Sequence, residues 1–380
     1  MRIGINASFA RKDNTGIGQV TLNFLKKLSE LKVNDFILYL EEDLPKDFKL
    51  PENFTKRIFL PLWKRDDLIR KIWWEKNLLP QQVKKDECDI LISLYQCPTI
   101  TDIKHIMIVH DIIPELFPEY LNNSRKKKYW KLTKKAIAKA DKIIAVSRRT
   151  EKDLIQHLGI DPEKITTNYP YVSSVFKIPI SSGESARVLS KYRINPGYIL
   201  AGGGMEVRKN IEGVIRAYKL LHTRIKLERT PPNLVIYGKL MPELVPLTTD
   251  AEKLIRELNL IQSVKLLDAV EQKDLPALYK NSIFFVYPSF YEGFGLPVLE
   301  AMNQGTPVIT SKKSSLPEVG KDAVLYCNPD DIEDIAMVMR NVLLNKHLRE
   351  ALSERGKERA KEFSWDKFVE KIFNILSAIG

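Results

Sequence analysis

One stretch in the second half of the chain places a buried strand, a glycine loop and a helix in direct succession. The apolar run Ile283–Tyr287 is too short and too aromatic for a helix, so it predicts a strand. Gly293 and Gly295 then allow the backbone to turn tightly. Pro297 suits the first turn of a helix, and Gly305 suits the position after its end. This order is typical of an α/β protein with a parallel sheet.

The loop in this stretch predicts a ligand site. Unpaired N–H groups at a helix start bind anions and hydroxyl groups. Glu292 lies before the helix and Glu300 lies in its first turns, so the two carboxylates can hold different parts of one extended ligand. A glycine loop alone is common between strands and helices, and Glu300 alone could simply complement the helix dipole. The combination of loop, helix and two acids favours a site.

The run Glu-Gly-Phe-Gly-Leu-Pro-x-Leu-Glu-Ala-Met that begins at Glu292 resembles the signature of retaining glycosyltransferase family 4. The resemblance covers essentially the whole chain. It implies the GT-B fold, in which two Rossmann-like domains with parallel sheets face each other across a cleft. It also implies that Glu292 binds hydroxyls of the donor sugar, that Glu300 binds the ribose, and that the whole loop holds the nucleotide-sugar donor. The loop residues concerned are Ser289, Glu292, Gly293, Phe294, Gly295, Leu296 and Glu300.

Length and composition agree with a globular protein of two domains. A chain of 380 residues exceeds what one core usually serves, and 44% hydrophobic residues is ordinary for a globular protein. No apolar run approaches the roughly 20 residues that span a bilayer, and the N-terminal residues do not resemble a signal peptide. Three scattered cysteines fit no disulfide framework and suggest a reducing compartment. We therefore expect a cytoplasmic location.

Alternating strand and helix patterns divide the chain into domains. We expect an N-terminal Rossmann-like acceptor domain over residues 1–175 and a nucleotide-sugar domain over 176–360. By resemblance, a terminal helix over 361–380 crosses back to the first domain. Predicted strands of the first half are Phe36–Leu40, Arg57–Leu60, Ile90–Ser93, His105–His110 and Lys142–Val146. Predicted helices there include a first one after the glycine pair, with Val20, Phe24, Leu28 and Leu31 as its apolar stripe, and Asp66–Lys84, Ser124–Ala140 and Thr150–Leu158.

Two features of the first domain point to ligand binding. Gly16 and Gly18 open a helix after the first strand, and they are either a plain turn pair or a loop whose N–H groups meet a phosphate. They lack the third glycine of a dinucleotide fingerprint, so NAD binding is not favoured. His110 ends an apolar strand, where ligands of parallel sheets bind. The resemblance implies that the glycine loop faces the donor diphosphate and that His110 contacts the donor sugar.

The second domain contains a predicted anion site. A glycine triplet that ends at Gly204 follows a short strand, and Arg208 and Lys209 stand just before a helix. Arginine offers a planar fork and lysine a point charge, and exposed glycine N–H groups add donors. Many family members have Arg directly after the glycines, where this chain has Gly204. The resemblance implies that Arg208 and Lys209 grip the diphosphate instead.

Further strand ends in the second domain are implied to cradle the nucleotide base. Gly238 follows the apolar run Asn233–Tyr237, and Val270 follows the run Val264–Asp268. The sequence has neither Asp-x-Asp nor His-x-x-x-His, so no metal and no cofactor are expected. The other predicted strands of this domain are Tyr198–Ala201, Thr306–Thr310 and Ala323–Cys327.

The positive charge is concentrated in one segment. The chain carries a formal net charge of +12, which points to an anionic partner. Arg125–Lys142 holds nine bases and one acid. A solvated helix face is the usual outcome for such a run, and a patch lying on anionic lipid headgroups is the alternative. The latter predicts peripheral contact with the inner face of the cell membrane.

Together with these observations, the resemblance implies a retaining, metal-independent hexosyltransferase of cell-surface polysaccharide or lipopolysaccharide synthesis. His110, Glu292, Arg208 and Lys209 are the candidate catalytic residues. The resemblance favours GDP-mannose as donor and a glycan or lipid-linked oligosaccharide as acceptor. A nucleotide-sugar epimerase or a phosphorylase on the same fold remains an alternative. A basic nucleic-acid-binding protein is a remote one, since no aromatic residues interleave with the bases on a strand platform, and we expect no nucleic-acid partner.

Overall fold

The computed structural model describes residues 1–12, 15–30, 35–45, 48, 50–60, 67–223 and 230–379. They form two compact units. The first comprises Met1–Tyr171 together with Ser364–Gly380, and the second comprises Val172–Phe363.

The first unit is built on a parallel sheet. In the described residues its seven strands lie in the order β3-β2-β1-β4-β5-β6-β7. Most of them are buried apolar runs, as expected for a parallel sheet that is covered on both faces. The strands are β1 Arg2–Asn6, β2 Asp35–Leu40, β3 Phe54–Ile58, β4 Ile90–Ser93, β5 Lys104–Val109, β6 Lys142–Ala145 and β7 Ile165–Thr167.

One predicted strand of this sheet is displaced. The sequence predicts Arg57–Leu60, whereas β3 spans Phe54–Ile58. Phe54 is buried and its ring stacks on that of Phe36 in β2 with centroids 4.8 Å apart. This contact fixes the parallel register from Phe54 onward, and the pattern of the following residues does not reveal it.

The helices of the first unit are α1 Gly16–Leu28, α2 Asp67–Trp73, α3 Leu79–Lys85, α4 Ile113–Leu116, α5 Ser124–Lys139, α6 Arg148–Leu158 and the last helix, Trp365–Ile379. Short 3₁₀ turns cover Ser8–Arg11, Pro118–Tyr120 and Pro162–Lys164. The single helix predicted over Asp66–Lys84 is interrupted by a π-helical turn at Trp74–Leu78. Asp66, and Leu31 of the predicted first helix, lie outside the described residues.

The last helix packs against α1. The rings of Phe368 and Phe24 meet edge to face at 6.1 Å. Asn168 Nδ2 donates to the Phe368 carbonyl at 2.8 Å, and Asp366 pairs with Lys27 at 2.5 Å. These contacts make the C-terminal segment part of the first unit.

The second unit has its own parallel sheet. Its six strands in the described residues lie in the order β10-β9-β8-β11-β12-β13. They are β8 Tyr198–Gly202, β9 Leu234–Tyr237, β10 Val264–Leu267, β11 Ser282–Tyr287, β12 Val308–Ser311 and β13 Leu325–Cys327. The helices are α7 Ser182–Tyr192, α8 Ile211–Thr223, α9 Ala251–Glu257, α10 Leu275–Lys280, α11 Leu296–Asn303, α12 Leu316–Gly320, α13 Ile332–Leu344 and α14 Lys346–Ala360. The last helix of the first unit is therefore α15. Short 3₁₀ turns cover Ser174–Lys177, Val207–Lys209 and Pro242–Leu244.

Each sheet reverses its strand order at one place. In the first unit this place lies between β1 and β4, and in the second it lies between β8 and β11. Ligands of open α/β sheets bind outside the carboxyl ends of the strands at such a point. Among the described helices, none is both long and apolar enough to cross a bilayer.

Candidate active site

Three successive glycines end β8 at the reversal point of the second sheet. Gly202, Gly203 and Gly204 all have positive φ, at 149°, 93° and 129°, which side chains rarely tolerate. A Cβ on Gly202 would lie 2.3 Å from the Tyr237 carbonyl oxygen. Gly238 also has positive φ, and a Cβ on it would lie 2.8 Å from the Gly204 nitrogen. The structure thus brings the predicted Gly204 and Gly238 together in one backbone crossing.

The next residues turn Arg208 and Lys209 toward the end of β11. They form the 3₁₀ turn Val207–Lys209, which ends at Asn210 in the left-handed conformation with φ 59°. Asn210 Nδ2 donates to the carbonyls of Pro288 and Pro329 at 3.3 and 2.8 Å. The Arg208 carbonyl accepts from the Phe290 N–H at 2.7 Å. The turn and the loop after β11 are therefore one hydrogen-bonded structure.

Glu292 is the centre of this structure. Its Oε2 lies 3.0 Å from Arg208 Nη1, and its Oε1 lies 3.3 Å from Lys209 Nζ. Tyr287 Oη and Ser289 Oγ donate to the same Oε1 at 2.6 and 2.8 Å. Burial alone would raise the pKa of Glu292, but the two cations and the two hydroxyl donors outweigh it and lower the pKa to about 2. Glu292 is therefore a buried, permanently ionised carboxylate.

The backbone of the Glu292 loop is held by two serines that the sequence pattern does not indicate. Ser314 Oγ and Ser315 Oγ donate to the Glu292 carbonyl at 2.6 and 2.9 Å. Ser315 Oγ also donates to the Phe294 carbonyl at 2.7 Å. No short-range signal identifies them, because they follow β12 and reach the loop only in the fold.

The predicted loop residues place the start of α11 beside the glycine triplet. Gly293 is partly exposed, while Phe294 is buried against the Phe363 ring at 5.8 Å. Gly295 has φ 109° and precedes Leu296, the first residue of α11. A Cβ built on Gly203 would lie 3.4 Å from Pro297 Cγ, so the two segments are neighbours.

Glu300 has the opposite electrostatic character to Glu292. It is also buried, but its Oε2 accepts a hydrogen bond from Tyr279 Oη at 3.1 Å. Burial raises the pKa of Glu300 to about 7, although Tyr279, Gln272 and the charge of Lys209 each act to lower it. Gln272 follows closely on Val270, which is half-buried in the loop after β10. Glu300 and the β10 loop therefore meet at one side of the site.

A hydrogen-bonded pair of tyrosines, Tyr237 and Tyr279, adjoins Glu300. The hydroxyls of Tyr237 and Tyr279 are 2.6 Å apart, and both residues are buried. Tyr237 is the last residue of β9, and Tyr279 is the last but one of α10. Their position at the ends of a strand and a helix is the sequence signal that could indicate them as site residues. By itself, the sequence pattern does not indicate that these two tyrosines, or Tyr287, belong to the site.

The two glycines that the sequence indicates in the first unit, Gly16 and Gly18, lie in the first turn of α1. The Gly18 N–H donates to Thr15 Oγ1 at 3.1 Å, which caps α1, so this group is engaged within the chain. A Cβ on Gly18 would lie 1.9 Å from the Lys12 carbonyl oxygen, so close packing requires glycine here. The Gly18 N–H therefore caps α1 in this structure, and a role of Gly18 in donor binding stays a prediction. Gly16 is exposed at the start of α1, and its role stays a prediction.

His110 follows β5 and is buried. Its Nε2 lies 2.9 Å from the Leu94 carbonyl oxygen, which can only accept, so the proton is on Nε2. Burial lowers the pKa of His110 to about 4, against the effect of the Leu94 hydrogen bond. Gln96 holds the backbone on both sides, since it accepts from the His110 N–H and donates to the Asp111 carbonyl. His110 is thus a neutral imidazole with Nδ1 as a hydrogen-bond acceptor.

Comparison with protein families assigns both halves of the chain. Residues 14–174 match the model described as Glycosyltransferase Family 4, and residues 190–359 match Glycosyl transferases group 1. The O-antigen chain mannosyltransferase B of Escherichia coli is 37% identical over 70% of this chain and 68% of its own length. The O-antigen chain mannosyltransferase RfbU of Salmonella typhimurium is 26% identical over 98% of this chain and 99% of its own. The Escherichia coli mannosyltransferase WbdA is 32% identical over 69% of this chain, a match that spans only 32% of WbdA.

Solved structures agree in fold. WaaG, described as a glycosyltransferase involved in lipopolysaccharide biosynthesis, superposes with a TM-score of 0.76 at 17% identity, covering 99% of both chains. Anabaena HepE in complex with UDP-glucose superposes with a TM-score of 0.73 at 16% identity, covering 100% of both. The predicted GT-B fold class, with two Rossmann-like parallel-sheet domains, is confirmed.

Proposed function

Since the chain belongs to glycosyltransferase family 4 and is a glycosyltransferase, we propose that it is a retaining mannosyltransferase that uses a nucleotide-diphosphate mannose, with GDP-mannose favoured. The names of three relatives support mannose as the sugar, and the epimerase and phosphorylase alternatives gain no support from them. The proposed acceptor is a glycan or lipid-linked oligosaccharide of cell-surface polysaccharide synthesis. HepE, which shares the fold, is described in complex with UDP-glucose, and this supports a nucleotide-sugar donor.

One observation carries the proposal: the partly buried Arg208, the buried Lys209, a glycine triplet and a helix start converge at the reversal point of the second sheet. Breaking the anomeric bond loads negative charge on the departing diphosphate. Arg208 and Lys209 supply positive charge where that anion would lie, and fixed donors of this kind lower such barriers. Neither base needs to move far, because their backbone is fixed by the loop after β11.

The two carboxylates fit different parts of the donor. Glu292 is ionised and accepts strong hydrogen bonds, so we propose that it binds hydroxyls of the transferred sugar. Glu300 lies on the side of the β10 loop, and we propose that it accepts from the ribose hydroxyls. His110, whose Nδ1 is an acceptor, is proposed to bind a substrate hydroxyl. We propose same-face substitution without an enzyme nucleophile, in which the leaving phosphate helps to deprotonate the acceptor.

Calorimetric titration of the whole chain with GDP-, UDP-, ADP- and dTDP-sugars tests the donor. We expect GDP-mannose to bind tightest, and incubation with a mannosylated acceptor should extend it by α-linked mannose if configuration is retained. Tightest binding of another nucleotide sugar would overturn GDP-mannose, and absence of any binding would overturn the assignment of the site. Release of an isomerised nucleotide sugar without acceptor would favour the epimerase.

We further propose that α5 contacts anionic membrane. Its buried residues, which include Trp130, Thr133 and Ile137, face the core, and its N-terminus is capped by Asn123. The exposed bases on its other face are Arg125, Lys127, Lys128, Lys131, Lys135 and Lys139. Each base near an anionic surface contributes about 1 kcal/mol.

Flotation with liposomes separates this surface from an ordinary solvated helix. We expect the chain to float with vesicles that contain anionic lipid and to remain behind with neutral ones. Replacing Lys131 and Lys135 by Gln should weaken flotation, because both are exposed. Equal and negligible binding to both kinds of vesicle at low salt would contradict the proposal.

A further inference from the structure

The bases of the candidate site are already neutralised within the chain. Arg208 lies 3.0 Å from Glu292 and 3.7 Å from Glu206, and Lys209 lies 3.3 Å from Glu292. The formal charges of these two bases and two acids cancel. An arriving diphosphate therefore meets a neutral cluster, and it gains full attraction only when one of the acids withdraws.

The two acids are held very differently. Glu292 is buried, accepts hydrogen bonds from Tyr287 and Ser289, and pairs with both bases. Glu206 has its side chain 30% exposed, and its ion pair with Arg208 is long at 3.7 Å. Its Oε2 is buried and accepts no hydrogen bond from the part of the chain that the structure describes. Since an unsatisfied buried oxygen is unfavourable, Glu206 is the acid that can leave.

The Glu206 carboxylate also lies on the glycine loop itself. A Cβ built on Gly204 would meet Glu206 Oε2 at 2.3 Å and Lys209 Cε at 3.2 Å. The carboxylate thus covers the Cα of Gly204, where the missing side chain leaves room for a ligand to approach the backbone. A carboxylate at this point occupies space that a phosphate oxygen would need.

The backbone of Glu206 is fixed, so only its side chain needs to move. Glu206 forms an antiparallel bridge with Thr248, the Val207 N–H donates to the Leu247 carbonyl at 3.0 Å, and the Lys209 N–H donates to the Glu206 carbonyl at 2.8 Å. A rotation of the side chain toward solvent would uncover Gly204 and release Arg208 without moving the turn that carries the bases.

We propose that the Glu206 carboxylate occupies the anion position of the ligand-free site and is displaced by the donor diphosphate, so that it sets the affinity for the donor. This inference rests on the proposed function, because it takes the anion to be the diphosphate of a nucleotide sugar. It goes beyond it by assigning a competing role to an acid that pairs with Arg208 but is not one of the donor-binding residues.

Calorimetric titration of the full chain with GDP and with inorganic pyrophosphate tests the proposal. We expect E206Q to bind both about five- to tenfold more tightly than the wild type, because a like charge next to the bound anion is removed. E206A also removes the charge, but it offers no amide that could make a new contact. It should likewise bind GDP and pyrophosphate more tightly than the wild type. E243Q is the matched control, since Glu243 is an exposed acid of the same unit, and its affinity should equal that of the wild type. Guanosine, which has no phosphate, should bind wild type and E206Q equally.

The outcomes separate this inference from the proposed function. Wild-type binding of GDP with equal or weaker binding by both Glu206 variants would overturn the inference alone, since a merely structural role of Glu206 predicts weaker binding. An equal gain in E243Q would also overturn it, because the effect would then come from net charge. Failure of the wild type and all variants to bind GDP, UDP and pyrophosphate would overturn both.

Discussion

Replacing Glu300 by Gln should make the protein more stable at alkaline pH. Burial raises the pKa of Glu300 from 4.5 to about 7, so the folded chain resists ionising this group while the unfolded chain does not. Because the folded pKa lies above the unfolded one, the favourable contribution is complete below about pH 4.5 and is lost as the pH rises toward 7. Gln has no proton to lose, and its amide oxygen can still accept from Tyr279.

The magnitude follows from the two pKa values. The difference between 4.5 and about 7 corresponds to about 3 kcal/mol at high pH. At pH 5 only a small part of this free-energy difference is present. The free energies of unfolding of wild type and E300Q should therefore differ by less than about 1 kcal/mol at this pH. At pH 8.5 the variant should be about 3 kcal/mol more stable, which raises the unfolding midpoint of a unit of this size by about 6–12 °C.

Thermal unfolding followed by circular dichroism at pH 5 and pH 8.5 measures the effect. Glu292→Gln is the matched control, because the same signature motif holds both acids and the pKa of Glu292 is lowered to about 2. Its stabilising contribution is present above pH 4.5 and is lost only as the pH falls toward 2, so E292Q should lose about 3 kcal/mol at both pH values. A stability difference between wild type and E300Q that does not grow from pH 5 to pH 8.5 would refute the reasoning.

The same variant should bind nucleotide more weakly despite its higher stability. The ionised carboxylate accepts hydrogen bonds from ribose hydroxyls more strongly than an amide does. Wild-type affinity for GDP should therefore rise as the pH rises through 7, whereas that of E300Q should not. Unchanged affinity in E300Q would show that Glu300 is structural.

Three further perturbations test other residues. Lys209→Ala should lower kcat/KM about 100-fold or more through the loss of charge at the leaving group, while Glu292 keeps its other partners and the fold persists; a change under about threefold would remove Lys209 from catalysis. Gly18→Ala should destabilise the chain by about 1–3 kcal/mol in thermal unfolding, because its Cβ would lie 1.9 Å from the Lys12 carbonyl oxygen, whereas Gly183→Ala, with nothing within 4 Å, should not. His110→Asn should lower activity without removing any pH-dependent limb near pH 6.5, because the pKa of His110 is lowered to about 4; disappearance of such a limb would contradict the neutral imidazole.

The fold could be predicted from the sequence because the buried strands of a parallel sheet are short, continuous apolar segments of the chain. The predicted strand Ile90–Ser93 matches β4 at both ends, and the predicted strand Lys142–Val146 ends one residue after β6. The strand at Phe54–Ile58 was misplaced because four of its five residues are exposed, so its identity depends on pairing with β2. The short strand Ile165–Thr167 at the other edge of the sheet was missed for a related reason, since three residues establish no period.

The sequence singles out several residues that the structure groups together, but it does not reveal the contacts between them. The sequence indicated Arg208, Lys209 and Glu292 from their positions beside glycines, and the structure brings the three into direct contact. It did not indicate that Glu292 would neutralise the bases, because contacts between residues more than 80 positions apart are a property of the fold. The sequence leaves Gly18 open between a plain turn and a ligand loop, and it does not reveal the cap at Thr15 that engages the Gly18 N–H.

The neutral cluster in the second unit reconciles stability with anion binding. Without counter-charges the buried Lys209 and the partly buried Arg208 would cost several kcal/mol, and such a site would destabilise the chain before any donor arrived. Glu292 removes most of that cost, since it is fixed by hydroxyl donors as well as by both bases. Glu206 pairs with Arg208 at a long distance, so it can balance the remaining positive charge and still move away when an anion binds. Donor affinity must then be lower than the bases alone would give, and the strength of the Glu206 contact sets by how much.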